Sequence, residues 1–272
     1  TTTYYKVGSN NKIIKLKFKI NENDNKIINN EMKKSINEPD IDYNNQIINR
    51  NQIQDKTEKP LIAIYHTHTS ETYIDDARLQ DNNGHVYPGN IGNVGKVGME
   101  MAHVLSEKYN FKVIHTTKVH DESYSRSYYN SRQTAKKLLT DNPNIELIFD
   151  IHRDGGKNNP SKNQITTVIN KQRVAKVMIV VTSGRLSVNN GDSKPKNNWQ
   201  ENVELANKIA AKMEEMYPGL LMRIEKRTRT YNRYNQDLHP HSLLLEVGDY
   251  CNTTEEAVRA ARYMSNVIGA MY

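Results

Sequence analysis

Three short apolar runs in this chain each end in side chains that bind metal ions, and this pattern restricts the fold more than any other feature. The runs begin at Leu61, Ile145 and Leu243, and histidine or glutamate stands at or just beyond the end of each run. In an open α/β sheet, ligands bind in the crevice outside the carboxyl ends of the strands. We therefore expect the three strand ends to meet at one site.

Apolar strands alternate with amphipathic helices through most of the chain, which predicts βαβ units and a largely parallel sheet. The expected fold class is α/β, an open, mostly parallel twisted sheet flanked by helices. Predicted strands are 61–65, 111–115, 145–151, 165–170, 174–181 and 243–247. Predicted helices are about 95–109, 129–140 and 199–217, with a last helix that opens at the capping-box pattern Thr253-Thr-Glu-Glu256.

The first 57 residues differ in composition, since they are crowded with Asn, Lys, Ile and Asp. Residues 12–20 alternate apolar side chains with lysines and predict an edge strand that is able to pair with another chain. Residues 21–57 predict a polar linker or stalk. We therefore divide the chain into an N-terminal strand with its stalk, 1–57, and a catalytic domain, 58–272.

The net charge and the cysteine content limit the kinds of partner and of covalent cross-link that we expect for the protein. A net charge of +7 suits a polyanionic partner, and no nucleic-acid-binding motif accompanies it. Cys251 is the only cysteine, which excludes an internal disulfide. No run reaches the 18 or more apolar residues of a membrane span, and because the chain begins at Thr1 we expect that a signal or anchor has been removed.

The first apolar run leads into the sequence Tyr-His-Thr-His-Thr-Ser-Glu, which holds candidate metal ligands. His68 and Glu71 have the spacing H-x-x-E in a loop that follows a strand, so both side chains can reach one point. His66 competes with His68 for the ligand role and otherwise contacts substrate. His152, at the end of the second run, adds another imidazole. Two histidines and one carboxylate with an open fourth position are typical of a catalytic zinc site, which predicts a metal-dependent hydrolase.

Acidic and basic neighbours complete this predicted site. Glu246 lies within an apolar run, where a carboxylate is costly to bury, and is the candidate general base; an ion pair in the core is the alternative. Asp150 and Asp154 flank His152 and are candidates to accept a hydrogen bond from its ring. Arg153 is a candidate to polarise the scissile carbonyl, or else an ion-pair partner at the surface.

A polar segment at 231–241 precedes the last strand and is the candidate wall of a substrate groove. Its amides Asn235 and Gln236 are expected to contact substrate, although a plain polar loop has the same composition. His239 and His241 are reserve metal ligands.

The three strand-end motifs together resemble the stage II sporulation protein P family, over about residues 60–272. Gly92-Asn-Val-Gly-Lys-Val-Gly98 and Asn235-Gln-Asp-Leu-His-Pro240 resemble it as well. This resemblance implies a zinc-dependent N-acetylmuramoyl-L-alanine amidase, with endopeptidase activity in addition, that cuts septal peptidoglycan during forespore engulfment. It implies membrane anchoring on the mother-cell side, an extracytoplasmic location and two partners, stage II sporulation proteins D and M.

The resemblance leaves the carboxylate ligand open. Amidases of this kind carry that glutamate at the start of the first helix, where the nearest residue is Glu100. Zinc carboxypeptidases instead have the H-x-x-E spacing of His68 and Glu71, and we choose Glu71. With Zn²⁺ held by His68, Glu71 and His152, Glu246 then takes a proton from the attacking water and returns it to the leaving amine.

Three other interpretations compete with this one. A zinc peptidase of carboxypeptidase type would use the same ligands. A metal hydrolase built on an eight-stranded barrel would need more strand-ending ligands than this chain offers. A peptidoglycan-binding or partner-recruiting module without activity would retain the site only as a remnant.

Overall fold

The structure is a computed structural model that describes residues 2–7, 13–18, 59–86, 89–155, 161–183, 198–228 and 232–272. The chain forms two compact units, one of residues 1–58 and one of residues 59–272. No helix within the described ranges is long and apolar enough to cross a membrane.

The first unit contains two antiparallel strands, β1 (Thr2–Val7) and β2 (Ile13–Phe18). β2 coincides with the strand predicted at 12–20, but its partner is a preceding strand of the same chain that the sequence did not predict. The predicted stalk at 21–57 lies outside the described residues.

The second unit is built on a six-stranded sheet in the order β4-β3-β5-β10-β8-β9. Its strands are β3 (Leu61–Tyr65), β4 (Lys112–His115), β5 (Ile145–Asp154), β8 (Val177–Thr182), β9 (Leu221–Arg227) and β10 (Ser242–Asp249). All neighbours are parallel except β10 and β8, which are antiparallel. A separate pair, β6 (Thr166–Ile169) and β7 (Gln172–Ala175), is also antiparallel.

Helices cover both faces of the sheet. They are α1 (Val94–Tyr109), α2 (Ser127–Asp141), a single turn α3 (Lys162–Ile165), α4 (Trp199–Met216) and α5 (Thr254–Met271). The main core joins one face of the sheet to α1, α4 and α5, and a smaller core joins the other face to α2. The capping box at Thr253 and Glu256 starts α5 as the sequence predicts.

This architecture confirms the predicted α/β fold with an open, mostly parallel sheet flanked by helices. The sequence did not predict β9, whose charged and apolar side chains alternate because it is a half-exposed edge strand. The apolar run at 174–181 was expected to be one strand and is divided between β7 and β8. The open sheet of the second unit does not have the form of an eight-stranded barrel.

The strand order changes direction between β3 and β5. The chain leaves β3 through α1 to reach β4 on one side, then crosses through α2 to β5 on the other side. Such a switch point opens a crevice at the carboxyl ends of the strands, where ligands of α/β proteins bind. The candidate site lies at this crevice.

Candidate active site

Three neighbouring strands place the candidate residues at one end of the sheet. His68 and Glu71 belong to the loop that follows β3, and His152 lies near the end of β5. Glu246 of β10 is the direct register partner of His152 in the parallel pair β5–β10. The structure therefore brings together the four residues that the sequence singled out as metal ligands and general base.

The imidazole of His152 lies between two carboxylates. Its Nδ1 atom is 3.5 Å from Glu71 Oε2, and its Nε2 atom is 3.0 Å from Asp150 Oδ1, without hydrogen-bond alignment in the latter case. Asp150 is itself held by Thr67, whose backbone N–H and hydroxyl donate to it at 2.8 and 2.6 Å. Asp150 thus lies on the side of the His152 ring where carboxylates support metal-bound imidazoles.

His68 presents a ring nitrogen without a partner. Its Nδ1 atom is buried and forms no hydrogen bond, and its ring centroid is 5.2 Å from that of His152. Burial lowers the pKa of His68 to about 4. The ring is therefore neutral at pH 7, which is the state in which histidine binds metal ions.

Glu246 also has a buried oxygen, Oε2, that forms no hydrogen bond. Burial raises the pKa of Glu246 to about 8, against the opposing effect of His152. A carboxyl group that titrates near neutral pH suits a residue that takes up and releases a proton in each turnover.

Glu71 and His152 shift each other's titration in opposite directions. Burial raises the pKa of Glu71, but His152 and Arg153 outweigh it and lower the pKa to about 2. Burial lowers the pKa of His152, but Asp150 and Glu71 outweigh it and raise the pKa well above its ordinary value. The carboxylates of Glu71 and Asp150, whose pKa values are both lowered, therefore form a negatively charged environment that favours a cation.

The donor types fit a zinc ion, although within the described ranges no group of three or more His, Cys, Asp or Glu side chains is placed to hold a metal ion as the side chains stand. Two tetrahedral ligands at about 2.0–2.2 Å from one ion lie about 3.4 Å apart, close to the 3.5 Å between His152 Nδ1 and Glu71 Oε2. His68 Nδ1 is a buried nitrogen without a partner beside them. His68, Glu71 and His152 are thus the residues that would hold the ion.

A close backbone contact shapes the loop that carries Glu71. A Cβ atom on Gly92 would lie 1.8 Å from the carbonyl oxygen of Glu71, so no side chain fits at this position. The N–H of Gly92 also donates to Thr69 O at 2.7 Å. The loop preceding α1 therefore supports the Glu71 loop directly, and only glycine permits the approach.

His66 occupies a different environment from His68. It is fully buried, its Nδ1 lies 2.9 Å from Ile151 O, and its Nε2 lies 2.9 Å from His115 Nε2. Both ring nitrogens thus have partners inside the protein. This placement does not support the predicted contact between His66 and a substrate, and it leaves His68 as the histidine that faces Glu71 and His152.

Arg153 and Asp154 do not take the positions that their predicted roles require. The Arg153 guanidinium is buried and donates to the carbonyl oxygens of Thr72, Asn83 and Gly84, so it anchors the loop after Glu71 and does not point to a scissile carbonyl. Its backbone N–H donates to Glu71 Oε2 at 3.1 Å. Asp154 accepts the N–H of Gly155, and the carboxylate beside the His152 ring nitrogen Nε2 is that of Asp150.

The amides predicted to bind substrate are structural in this arrangement. Asn235 is buried and donates to Ser131 Oγ at 3.0 Å. Gln236 is buried, and its side chain forms hydrogen bonds with β8. It donates to Val180 O at 2.7 Å and accepts from Thr182 N at 2.9 Å. The sequence could not separate this role from substrate binding, because both need the same amide groups.

The alternative metal ligands lie elsewhere. Glu100 of α1 forms an ion pair with Arg262 of α5, away from His152. His241 precedes β10, at the end of that strand opposite to Glu246, and its Nδ1 lies 3.0 Å from Glu146 O. His239 accepts the N–H of His241. Of the two carboxylates that the sequence left open, the structure places Glu71 beside His152.

Aromatic residues that the sequence analysis did not single out surround His68. The Tyr124 ring stacks on it with centroids 4.4 Å apart and planes 9° apart, and the Tyr128 ring meets it edge-on at 5.5 Å. His85 lies against both, with centroids 6.1 Å from His68 and 5.3 Å from Tyr124. The Ser-Tyr-Ser-Arg-Ser-Tyr-Tyr stretch at 123–129, which runs into the first turn of α2, carried only a weak signal in the sequence, its three tyrosines.

Several solved structures are similar to the chain at low identity. N-acetylmuramoyl-L-alanine amidase AmiC2 of Nostoc punctiforme is 14% identical, with a TM-score of 0.42, over 78% of this chain and 93% of that chain. The CwlD amidase of Clostridioides difficile, solved with the GerS lipoprotein, is 14% identical with a TM-score of 0.43 over 77% and 96%. A metallo-carboxypeptidase from Burkholderia cenocepacia is 9% identical with a TM-score of 0.42 over 80% and 58%. Likenesses of this size do not show a shared function.

Sequence comparison gives a firmer result. Stage II sporulation protein P of Bacillus subtilis (strain 168) is 30% identical over 223 residues, which are 79% of this chain and 52% of that protein. The chain thus spans about half the length of this curated relative. The family model described as "Stage II sporulation protein P (SpoIIP)" matches residues 3–269, so the similarity reaches well before residue 60, where the sequence motifs placed its start. The chain belongs to the stage II sporulation protein P family.

Proposed function

We propose that this chain is a zinc-dependent peptidoglycan hydrolase that cleaves the amide bond between N-acetylmuramic acid and the L-Ala of the stem peptide. One observation carries the proposal. Glu246 and His152 are paired in register near the carboxyl ends of β10 and β5, and the buried atoms His68 Nδ1 and Glu246 Oε2 have no hydrogen-bond partner among the described residues. Membership of the family supports a cell-wall substrate and a role in sporulation.

The chain's own residues would act as follows. His68, Glu71 and His152 hold the ion, and Asp150 keeps the His152 ring oriented from behind. A bound zinc ion supplies a Lewis acid that polarises the amide carbonyl and makes water more acidic. Glu246 accepts a proton from the attacking water at its free Oε2 atom and then delivers it to the leaving nitrogen of L-Ala. A nearby cation favours the charged form of Glu246 and so prepares it as a base.

Burial supports this division of roles. Two glutamates lie at the site, and their environments differ. Glu71 is charged through its contacts with His152 and Arg153, which suits a ligand, whereas burial keeps the pKa of Glu246 near neutrality, which suits a proton carrier.

We also propose cleavage of peptide cross-links as a second activity, action at an extracytoplasmic membrane surface during engulfment, and stage II sporulation proteins D and M as partners. Two alternatives use the same site differently. A carboxypeptidase-type enzyme would trim stem peptides from their carboxyl end. A binding module without activity would hold peptidoglycan and release nothing.

The test is the digestion of isolated peptidoglycan by the purified chain, with mass spectrometry of the soluble products. An amidase releases free stem peptides that begin at L-Ala. A cross-link endopeptidase leaves stems on the sugar, a carboxypeptidase releases single amino acids, and a binding module releases no fragment. Release of free stem peptides by the wild type and not by Glu246→Gln is the result we expect. Equal release by both proteins would overturn the proposal.

A further inference from the structure

A cavity of about 520 Å³ adjoins the candidate site on the side of His68. It is lined by residues of two loops, Ser70 and the 80–86 segment on one side and the 121–124 segment on the other. Tyr124 belongs to this lining, and its ring stacks on His68. The cavity is of the size that binds organic groups rather than single ions.

The lining of this cavity is acidic although the chain as a whole is basic. Asp81, Asp121 and Glu122 contribute three carboxylates, and no lysine or arginine lines the cavity. Within the described ranges, none of the three forms an ion pair. Among the described residues, the nearest cation to this lining that the hydrogen bonds show is Arg153, which bonds to the backbone carbonyls of Asn83 and Gly84 and to none of the three carboxylates.

Asp121 shows where a ligand would bind. It is 6% exposed, and its Oδ2 accepts the N–H and the hydroxyl of Ser70 at 3.0 and 2.6 Å. Its other oxygen, Oδ1, is buried and has no hydrogen-bond partner in the part of the chain that the structure describes. A buried carboxylate oxygen without a partner costs free energy that a cationic donor recovers on binding. The contacts of Oδ2 fix the carboxylate, so that Oδ1 remains as the free acceptor.

Two polar groups accompany this oxygen. The Nδ1 atom of His85 lies 3.1 Å from Ser70 Oγ. Asp81 accepts the N–H groups of Asn83 and His85, which holds the rim of the cavity in a tight turn. The lining thus offers acceptors in a rigid frame.

We propose that this cavity binds a primary ammonium group of the substrate, the free ω-amino group of the diamino acid in the stem peptide. The inference deepens the proposed function and rests on it for the identity of the substrate. The cavity and the candidate ligand His68 share Tyr124, so a peptide whose scissile bond lies at Glu246 extends into the cavity within a few residues. Asp121 receives the ammonium group, and Asp81 and Glu122 attract it.

The test compares the binding of two synthetic stem tripeptides by isothermal titration calorimetry. One carries the free ω-amino group and the other carries it acetylated, and neither contains the bond to muramic acid that is cleaved. Loss of one charge-assisted hydrogen bond weakens binding about tenfold or more. We expect the wild type to bind the acetylated tripeptide at least that much more weakly, and Asp121→Asn to bind both tripeptides equally.

Asp141→Asn is the matched control, because Asp141 is an exposed residue of α2 paired only with Lys137. It should keep the full preference for the free amine. Since Asp121 also holds Ser70, thermal melting of Asp121→Asn must show a folded protein. Glu122→Gln, at an exposed position, is a second variant that should reduce the preference without a loss of stability.

Equal binding of the two tripeptides by the wild type, or no binding of either, would overturn the inference. So would tight binding of calcium chloride alone that depends on Asp121, since the cavity would then be a metal site. The proposed function is judged separately. Amine-selective binding without release of stem peptides from peptidoglycan would support the cavity assignment and contradict the proposed hydrolase activity. Release of stem peptides without amine-selective binding would support the hydrolase activity and contradict the cavity assignment.

Discussion

Glu246 and His152 are direct partners in the parallel register of β10 and β5, so a carboxylate and an imidazole stand side by side at the carboxyl edge of the sheet. The surroundings of the two side chains differ and suit them to different roles. Asp150 lies behind His152, while Glu246 Oε2 has no hydrogen-bond partner. Two buried, adjacent strands therefore hold the proposed metal ligand and the proposed base side by side, and strands of this kind are a rigid support for a site.

The role of Glu246 can be tested by replacing it with an amide of the same shape. Because general acid–base catalysis contributes about 10²–10⁴-fold in rate, Glu246→Gln should lower peptidoglycan hydrolysis by at least about 10²-fold. Zinc content should stay the same, since Glu246 is not a ligand in this account. Glu225→Gln, at an exposed ion pair on the edge strand β9, should keep wild-type activity. Full activity in Glu246→Gln would exclude it as the base.

The support that Asp150 gives to His152 predicts a loss of zinc affinity. Removing a carboxylate that supports a metal-bound imidazole weakens metal binding about 10–100-fold, so Asp150→Asn should raise the zinc dissociation constant by that factor. Competition with a chromogenic chelator measures it. Thr67→Val removes the hydroxyl that donates to Asp150 and should show a smaller change in the same direction. Unchanged zinc affinity in both variants would remove Asp150 from the site.

The close approach at Gly92 predicts damage from a single methyl group. In Gly92→Ala the Glu71 loop must move, and overpacking of this kind costs about 1–3 kcal/mol or more. We expect both a lower melting temperature and weaker zinc binding. Gly155→Ala is the control, because a Cβ atom there meets nothing within 4 Å. Wild-type stability and zinc affinity in Gly92→Ala would show that the contact is relieved at little cost.

The ion pair between Arg132 of α2 and Asp237 predicts a stability that depends on pH. Both hydrogen bonds are 2.7 Å long. Burial raises the pKa of Asp237, but the hydrogen bonds and charge of Arg132 outweigh it, so the pKa lies below its ordinary value. The pair therefore stabilises the fold above the pKa of the unfolded aspartate, about 3.9, and this contribution is lost as the pH falls through the lower folded value.

Asp237→Asn should accordingly lower the free energy of unfolding at pH 7 by about 1 kcal/mol, a modest value because Arg132 is partly exposed to solvent screening. The difference between variant and wild type should shrink as the pH is lowered below the folded pKa. Urea unfolding at several pH values measures it. A difference that grows on acidification would contradict the assignment.

Sequence alone was sufficient to predict β3, β5 and β10 and the residues that meet near their carboxyl ends, although β5 and β10 continue to Asp154 and Asp249, beyond the predicted ends at 151 and 247. Buried parallel strands leave apolar runs, and His152 and Glu246 are conspicuous because charged or polar groups interrupt such runs. His68 and Glu71 follow from the length of the first run. The antiparallel pairing of β8 with β10 was not predictable in the same way, because the composition of a strand does not show in which direction its neighbour runs. The edge strand β9 was not predictable because it contains many charged residues.

The sequence could not predict the direction in which the side chains of the loops point. Arg153, Asn235 and Gln236 are chemically suited to a substrate, but the structure uses them to satisfy buried backbone and side-chain groups. The free Oδ1 of Asp121 and the stacking of Tyr124 on His68 depend on contacts between segments more than 50 residues apart. Such contacts arise only once the loops are folded.

The most direct test of the account is mass spectrometry of peptidoglycan digested by the purified chain in three states, as isolated, stripped by a zinc chelator, and stripped and then resupplied with zinc. The account predicts free stem peptides beginning at L-Ala in the first and third digests and a loss of this product in the second. Equal release of stem peptides from all three digests would contradict a zinc-dependent site at His68, Glu71 and His152.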